Sequence, residues 1–442
     1  MQIGHLAPAV NARTRGVSGS PAGRQRKLLG AQVTYEAEVV IVGAGIAGGS
    51  LAAALARGGK SVLLLEKSVM HKDVVRGEFL VPWGVEEATK LGVLDVLLDG
   101  GGHYTPFSVP YGEGVPPDVA RTRILDLRKL IPGVAGPLTF GHPQMCQALD
   151  DAAEAAGAIV LRGISDLKVD AGHPPTLSFT VDGQHQIVRP RLIVGADGRG
   201  SAVARQIGLT PTTDPDHHLM AGLLVDEVPG WPEDEFSIGI ERDFRFYVFP
   251  QGRGRVRLYF CYRLDQSTRF SGADKERKFL EAFRLSSLPQ SDLFASAQPA
   301  GPCHGYPNAD SWIEMPVARG IVLIGDAAGH NDPTIGQGLA LAFRDARLVS
   351  EALLSSDDWT TDTLRPYADE RRERMKRLRF AAKQVSILTT EFTQEARMRR
   401  QRVFGRMAAD PNLRVFMLPA LKGPYGVPDY VFDQAAWDNL FS

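Results

Sequence analysis

The chain has 442 residues, of which 44% are hydrophobic and 23% are charged, and its formal net charge is −1. The length predicts two or three domains, and the composition is typical of a globular protein. The balanced charge argues against nucleic acid as a partner. No apolar run approaches the ~18 residues that a transmembrane helix needs, so we expect no membrane span. The three cysteines form no CxxC pair, which argues against a disulfide framework or a metal site and favours a reducing, cytoplasmic location.

Residues 1–33 contain several arginines with scattered Gly, Ser and Pro, and no acidic side chain. An acid-free leader of this kind can be a transit peptide. Its apolar residues form no helical stripe, however, so we predict a flexible tail over 1–33.

The first motif lies in residues 39–67. A short apolar run typical of a buried strand is followed by a glycine-rich turn, an Ala/Leu-rich helix and a second apolar run. Gly43 allows a tight turn, Gly45 allows the backbone to approach a pyrophosphate, and Gly48 allows the helix to pack closely on the strand. Glu66 ends the second strand, where an acid can hold a ribose, so the motif predicts a dinucleotide site.

The following segment alternates helices with strands. The sequence predicts helices at 84–91 and 144–156, and then three strands in an antiparallel meander at 158–161, 177–181 and 186–189. Arg76 precedes the first helix, where its guanidinium could bind a phosphate or remain an ordinary surface side chain.

A further apolar strand is predicted at 191–194, and it runs into a loop that contains Asp197 and Gly198. Such a loop can return the chain to a nucleotide, although Asp-Gly alone is a common turn. The same pattern recurs at 321–324, where Asp326 follows the strand closely and a long helix begins near Leu339.

Residues 206–305 differ in character. Alternating runs at 236–241, 244–250 and 255–263 predict an antiparallel sheet and a separate domain. Most of its aromatic side chains should form a core, and a few could line an apolar ligand pocket. His217 and His218 have no third ligand nearby, so we expect no metal there.

The C-terminal region is helical and basic. Between Arg365 and Arg406, 13 lysines and arginines accompany five acids. We favour a solvated helical face, and the alternative is attraction of coenzyme phosphates or an acidic partner.

Taken together, the three strand–loop motifs resemble the flavoprotein aromatic-hydroxylase superfamily, the class A monooxygenases typified by p-hydroxybenzoate hydroxylase. The resemblance implies that the chain binds FAD. It assigns cofactor contacts to Gly43, Gly45, Ile46, Ala47, Gly48, Glu66, Lys67, Arg76, Gln144, Asp197, Gly198, Asp326, Pro333, Gly336, Gly338 and Leu339.

In the third motif, Asp326 would accept a hydrogen bond from the ribityl chain. The helix N-terminus after Gly336 would present N–H groups to the flavin edge on which negative charge accumulates. Pro333 would form a rigid wall beside the reactive ring. His330 and Asp332 are the nearest titratable side chains, and we take these three residues as the catalytic candidates.

We therefore predict an α/β protein: a Rossmann-like FAD-binding domain with an inserted antiparallel-sheet substrate domain and a helical C-terminal region. The predicted boundaries are 34–110, 140–205 and 306–360 for the FAD-binding domain, 111–139 and 206–305 for the substrate domain, and 361–442 for the helical region.

The resemblance also implies a reaction. NADPH or NADH would reduce the flavin, and O2 would form a flavin hydroperoxide that hydroxylates or epoxidises an aromatic or hydrophobic small molecule. A flavin-dependent halogenase, an isoprenoid (geranylgeranyl-type) reductase and a non-catalytic FAD-binding protein are the alternatives, although the halogenase Trp-x-Trp-x-Ile-Pro signature is absent. A homodimer and reduction by an external flavin reductase are both left open.

Overall fold

A six-stranded sheet organises the computed structural model, which describes residues 26–29, 32–75 and 77–442. Five of its strands run parallel, and the sixth pairs antiparallel at one edge. The order across the sheet is Ile159–Arg162, Val62–Glu66, Val39–Val42, Leu192–Gly195, Ile321–Leu323 and Val317–Ala318. The central strands are buried on both faces, as parallel strands covered by other layers must be. This sheet confirms the predicted α/β class.

Helices cover one face of this sheet. The helix Ile46–Arg57 packs between His142–Ala155 and Gly338–Ser355. It is rich in alanine and glycine, so the two neighbouring helices can approach it closely. The remaining α-helices are Pro82–Lys90, Leu94–Asp99, Pro117–Arg121, Ala202–Gln206, Lys275–Ala282, Asp292–Ala295, Thr361–Thr389, Gln394–Ala409, Pro419–Lys422 and Gln434–Phe441.

The other face is covered by a three-stranded antiparallel meander, whose strands are Ser165–Asp170, Thr176–Val181 and Gln184–Val188. The sequence-based prediction of this meander was wrong in one strand. The strand predicted at 158–161 joins the parallel sheet instead, and the meander begins with Ser165–Asp170. That strand was missed because only one of its six residues is buried, so it carries little apolar signal.

A separate sheet has eight strands, most of which pair antiparallel. Its strands, in order, are Gln298–Pro299, His218–Asp226, Val256–Tyr262, Phe244–Pro250, Glu235–Glu241, Phe107–Gly112 and Leu125–Asp126, with His304–Asn308 pairing beside His218–Asp226. Phe107–Gly112 pairs parallel with Glu235–Glu241 and crosses the predicted domain boundary at residue 110. Side chains alternate between an outer apolar core and an inner face, and the inner face carries Tyr247, Phe249 and Tyr259.

Two short strands, Arg26–Leu29 and Gln32–Tyr35, pair antiparallel near the N-terminus. Here the structure differs from the predicted flexible tail. The β-branched and aromatic residues at 33–35 favour a strand. The rest of the predicted tail lies outside the described residues.

The basic C-terminal helices use several arginines internally. Arg399 and Arg400 of Gln394–Ala409 donate to the carbonyls of Ile387 and Leu388, at 2.6 and 3.1 Å, at the end of the preceding helix. Arginine near a helix C-terminus satisfies carbonyls that have no intrahelical partner. Part of the basic surplus therefore caps helices rather than facing solvent. Throughout the described ranges, no helix is both long and apolar enough to cross a membrane.

Candidate cofactor and active site

The three predicted loops meet at one edge of the parallel sheet. Strands Val39–Val42, Leu192–Gly195 and Ile321–Leu323 are neighbours and run parallel, so the loops that follow them emerge side by side. The loops also touch: the guanidinium Nε of Arg199 lies 3.1 Å from the Asp326 carboxylate. Motifs separated by more than 100 residues in sequence thus form one site.

The glycine-rich turn shows two kinds of glycine. Gly43 has φ +103°, and a Cβ added there would lie 2.4 Å from the carbonyl oxygen of Ala196. A Cβ on Gly48 would lie 1.9 Å from the carbonyl oxygen of Gly43. Gly45 is different, because a Cβ there would meet no atom within 4 Å in the part of the chain that the structure describes. Gly43 and Gly48 therefore serve packing, and Gly45 borders open space.

The end of the strand Val62–Glu66 is tied to this turn. One carboxylate oxygen of Glu66 accepts the N–H of Ala44 at 2.9 Å, and the other accepts the N–H of Ser68 at 2.8 Å. Each oxygen keeps acceptor capacity for a further donor such as a ribose hydroxyl. Lys67 is exposed.

The helix Ile46–Arg57 begins directly at the turn, and both Ile46 and Ala47 are buried. Among the described residues, no side chain caps its N-terminus. Its first backbone N–H groups therefore have no intrahelical or side-chain acceptor, and they favour an anion.

The Asp197 carboxylate is directed into its own loop. It accepts the backbone N–H groups of Ala202 and Val203, at 2.6 and 3.2 Å, and the Ser201 hydroxyl. The side chain thus caps the short helix Ala202–Gln206. Gly198 has φ +74°, which glycine adopts without strain. Their cofactor contacts stay predictions.

Arg371 holds the third loop in place from a distant helix. Its guanidinium donates to the carbonyls of Gly325, Ala328 and Gly329 at 2.9–3.1 Å, and to the Asp345 carboxylate at 3.0 Å. Arg371 and Asp345 are 1% and 0% exposed. Burial is tolerated because both charges are paired and hydrogen-bonded. This clamp positions Asp326, whose side chain remains partly accessible.

The segment Asp332–Gly336, which we name the proline turn, follows this loop. The Asp332 carboxylate accepts the backbone N–H and the hydroxyl of Thr334, at 2.9 and 2.7 Å, and Gly336 adopts the left-handed conformation. The helix Gly338–Ser355 then starts without a side-chain cap. Gly338 is exposed and borders open space, while Leu339 is buried.

The catalytic candidates lie at this turn with different surroundings. Pro333 and His330 are half-buried, and the carbonyl of His330 accepts the N–H of Ser311 at 2.8 Å. Asp332 is buried, and the structure shows it organising the turn. Its catalytic role, like those of Pro333 and His330, stays a prediction.

A histidine that the sequence predicts to bind no metal supports the turn. His218 is fully buried, and its Nε2 lies 2.9 Å from the Thr334 hydroxyl. Burial lowers the pKa of His218 to about 4, although nearby Asp332 opposes this shift. The side chain is therefore neutral at physiological pH. No cluster of His, Cys, Asp and Glu in the described part of the chain is arranged to hold a metal ion.

Gln144 and Arg76 are the two remaining predicted cofactor contacts, and both stay predictions. Gln144 is exposed in the first turn of His142–Ala155. Arg76 lies outside the described residues.

The inner face of the antiparallel sheet approaches the proline turn. The Tyr247 hydroxyl donates to the carbonyl of Thr334 at 3.1 Å. The Phe79 ring stacks on Phe249 with centroids 4.5 Å apart and contacts Phe236 at 4.9 Å. The aromatic residues that the sequence predicts as core therefore include a layer that faces the site.

A buried ionisable group that the sequence did not reveal lies in the same layer. Glu78 is 2% exposed, and it accepts a hydrogen bond from the Tyr259 hydroxyl. Arg257 lies on the same strand as Tyr259. Its guanidinium is 2.7 Å from Glu78 and 2.6 Å from Asp73. Burial raises the pKa of Glu78 to about 7, against the lowering effect of Arg257. A lone acid in a loop gives no sequence signal for this environment.

This pKa predicts a pH effect on stability. A carboxyl whose pKa rises from 4.5 to about 7 on folding stabilises the folded chain at low pH, and this contribution is lost as pH rises through 7. Glu78→Gln removes the titration. From pH 4.5 to 7, the wild type should therefore lose stability relative to the variant by up to about 1.4 kcal/mol per pH unit.

Urea unfolding of both proteins from pH 5 to pH 8 measures this difference. Asp310, whose pKa burial also raises to about 7, titrates in both proteins and cancels. Parallel stability curves would contradict the assigned pKa.

Comparison with known proteins identifies the class. Residues 36–381 match the family described as the FAD binding domain, and the chain therefore belongs to this family, within the FAD-dependent monooxygenase superfamily. This finding confirms the resemblance predicted from the three motifs and the assignment of the chain as an FAD-dependent oxidoreductase.

Individual relatives differ in what their names say they do. The chain is 26% identical over 381 residues to digeranylgeranylglycerophospholipid reductase 2 of Methanopyrus kandleri, covering 81% of this chain and 88% of the relative. It is 40% identical over 351 residues to squalene epoxidase erg1 of Schizosaccharomyces pombe, covering 73% and 70%. The p-nitrophenol 4-monooxygenase PnpA of Pseudomonas putida shares the fold, with a TM-score of 0.73, 19% identity and coverage of 88% and 99%.

Proposed function

We propose that the chain is an FAD-dependent monooxygenase that uses NADPH or NADH and O2 to oxidise an apolar small molecule. The observation that carries the proposal is the contact between the proline turn and the aromatic inner face of the antiparallel sheet, made by Tyr247 and Thr334. This contact places the predicted ring-binding turn against an apolar layer. The antiparallel sheet would then supply the substrate side of the site.

The residues present fit FAD. Gly45 and Gly338 border open space at the starts of two uncapped helices, which suits a phosphate group and a flavin edge. Glu66 can accept from a ribose, and the partly accessible Asp326 can accept from the ribityl chain. When bound, the flavin supplies the redox and oxygen-activating chemistry. The protein orients the cofactor, and the aromatic layer excludes water.

The substrate proposal has support from the relatives. Squalene epoxidase is named for an isoprenoid hydrocarbon, and digeranylgeranylglycerophospholipid reductase for a phospholipid with isoprenoid chains. Phe79, Phe236 and Phe249 offer a matching apolar surface. The overall reaction would convert substrate, O2, NAD(P)H and a proton into oxygenated product, NAD(P)+ and water.

Product mass distinguishes this function from its rivals. The FAD-loaded protein is incubated with NADH or NADPH and a panel of phenols, polycyclic aromatics and polyprenes. Monooxygenation adds 16 mass units, or 18 with labelled O2, whereas an isoprenoid reductase adds 2 without O2 and a halogenase needs halide. Activity only after addition of a flavin reductase would identify external reduction. Absence of bound FAD after reconstitution would overturn the proposal, and FAD without turnover of any substrate would favour a non-catalytic flavoprotein.

Asp326 provides a direct test of the FAD assignment. Asp326→Ala should weaken FAD binding about tenfold or more, because a hydrogen bond to a charged group contributes about 1.5–3 kcal/mol. Equilibrium dialysis measures the FAD dissociation constant. The control is Asp369→Ala, which removes another arginine-paired acid, 2.9 Å from Arg372 and outside the three loops. Unchanged FAD affinity in Asp326→Ala would contradict the assigned role.

A further inference from the structure

The Glu78–Arg257 pair contains buried polar atoms without hydrogen bonds. Within the described residues, Oε1 of Glu78 and both Nε and Nη1 of Arg257 have no hydrogen-bond partner. Both residues are 2% exposed. A buried polar group left unpaired costs about 1–3 kcal/mol, so the two guanidinium nitrogens, for which the described residues supply neither a hydrogen bond nor an ion-pair contact, require an explanation.

The ion pair does not satisfy itself. Nη2 of Arg257 is close to both acids, at 2.6 Å from Asp73 and 2.7 Å from Glu78. Only the contact to Asp73 has hydrogen-bond alignment. The other oxygen of Glu78 already accepts from Tyr259. The remaining capacity of the pair therefore consists of two guanidinium nitrogens, which carry three N–H donors, and one carboxyl oxygen.

The pair lies beside the proposed substrate region. Tyr247 and Tyr259 are directly opposite each other on neighbouring strands. One reaches the proline turn through Thr334, and the other reaches Glu78. Phe79, the neighbour of Glu78 in sequence, would lie 3.7 Å from a Cβ on Gly336 of the same turn. The Glu78 side chain and its partner Tyr259 thus adjoin the aromatic layer that faces the turn.

We propose that Glu78 and Arg257 bind the hydroxyl group of an otherwise apolar substrate. This inference rests on the proposed function and specifies the substrate class for the same site. Both residues are specificity determinants, and Tyr259 is a positioning residue that orients the Glu78 carboxyl.

The chemistry of the pair selects a hydroxyl group over its alternatives. A hydroxyl donates one hydrogen bond and accepts others, so it can donate to Glu78 and accept from Arg257 at once. A carboxylate would accept from Arg257 but would face the like charges of Glu78 and Asp73. An ammonium group would face the Arg257 cation. A hydrocarbon would offer no acceptor to the two guanidinium nitrogens and no donor to Glu78, so their desolvation cost would stay uncompensated.

The test compares probes that differ at one group. The FAD-loaded wild type is titrated with 2-naphthol, naphthalene and 2-naphthoate, and in parallel with farnesol, farnesene and farnesoate, by the change in flavin absorbance. The measured quantity is the ratio of hydrocarbon to alcohol dissociation constants. This ratio should fall about tenfold in Arg257→Met and in Glu78→Leu, which corresponds to about 1.4 kcal/mol.

Conservative and matched variants separate recognition from folding. Glu78→Gln keeps a carbonyl acceptor for the hydroxyl and should retain most of the wild-type ratio. Arg400→Met removes another buried arginine, which donates to the carbonyls of Leu388 and Glu391 at 3.1 and 3.0 Å outside the aromatic layer, and should leave the ratio unchanged. If the apolar variants do not fold, a crystal structure of the wild-type holoenzyme with 2-naphthol decides the question. The hydroxyl should lie within hydrogen-bond distance of both Arg257 and Glu78.

Several results would overturn the inference. These are an unchanged ratio in both apolar variants, tighter binding of the carboxylates than of the alcohols, no binding of either alcohol, or a crystal structure with only a water at the pair. FAD occupancy and NAD(P)H oxidation are measured separately. A functional FAD-loaded enzyme without hydroxyl preference overturns only this inference, whereas a protein that binds no FAD overturns the proposed function.

Discussion

Replacement of Gly45 by valine is expected to weaken FAD binding about 10- to 100-fold while the apoprotein remains folded. The backbone at Gly45 has φ −77° and ψ −170°, which any residue can adopt, and an added Cβ meets no atom of the described residues within 4 Å. The new side chain would instead occupy the space through which a pyrophosphate approaches the turn. Overpacking of this kind costs about 1–3 kcal/mol. Equilibrium dialysis of FAD and thermal unfolding of the apoprotein measure the two effects.

Gly48→Ala is the matched control for this prediction. Its Cβ would lie 1.9 Å from the carbonyl oxygen of Gly43, so the helix and strand must separate and the apoprotein itself should lose stability. Equal losses of apoprotein stability in Gly45→Val and Gly48→Ala would show that Gly45 serves packing rather than the cofactor.

Arg371→Met is expected to destabilise the protein by about 3–5 kcal/mol and, as a second effect, to weaken FAD binding. The substitution leaves the carbonyls of Gly325, Ala328 and Gly329 without their buried donor and removes one of two arginines from Asp345. Breaking a buried ion pair from one side has a cost of this size. Urea unfolding of the apoprotein gives the first effect, and FAD dialysis on the folded fraction gives the second.

The neighbouring Arg372→Met serves as the control. Arg372 is exposed and pairs with the exposed Asp369 at 2.9 Å, so its loss should cost no more than about 1 kcal/mol. Arg371→Lys should resemble Arg371→Met, because one ammonium group cannot reproduce a planar guanidinium with four acceptors. A lysine variant with wild-type FAD affinity would show that the clamp does not position the third loop.

The position of the glycine-rich turn could be predicted because its causes are local. Strand, turn, helix and terminal acid are contiguous in residues 39–66, and each imposes a backbone requirement that a few residue types meet. The parallel sheet followed from the same pattern repeated at 191–198 and 321–326. The prediction was wrong where local signal is weak, as in the polar strand Ser165–Asp170.

By itself, the sequence determined the α/β class, the family and the loops that could hold a dinucleotide. Only the tertiary structure decided that Asp197 caps a helix, which residue clamps the third loop and which ionisable groups adjoin the aromatic layer. Glu78 and Tyr259 are 181 positions apart, and no spacing rule connects them. Burial, the pKa of a carboxyl and an unpaired guanidinium N–H all depend on neighbours that distant strands supply, so these properties exist only in the folded chain.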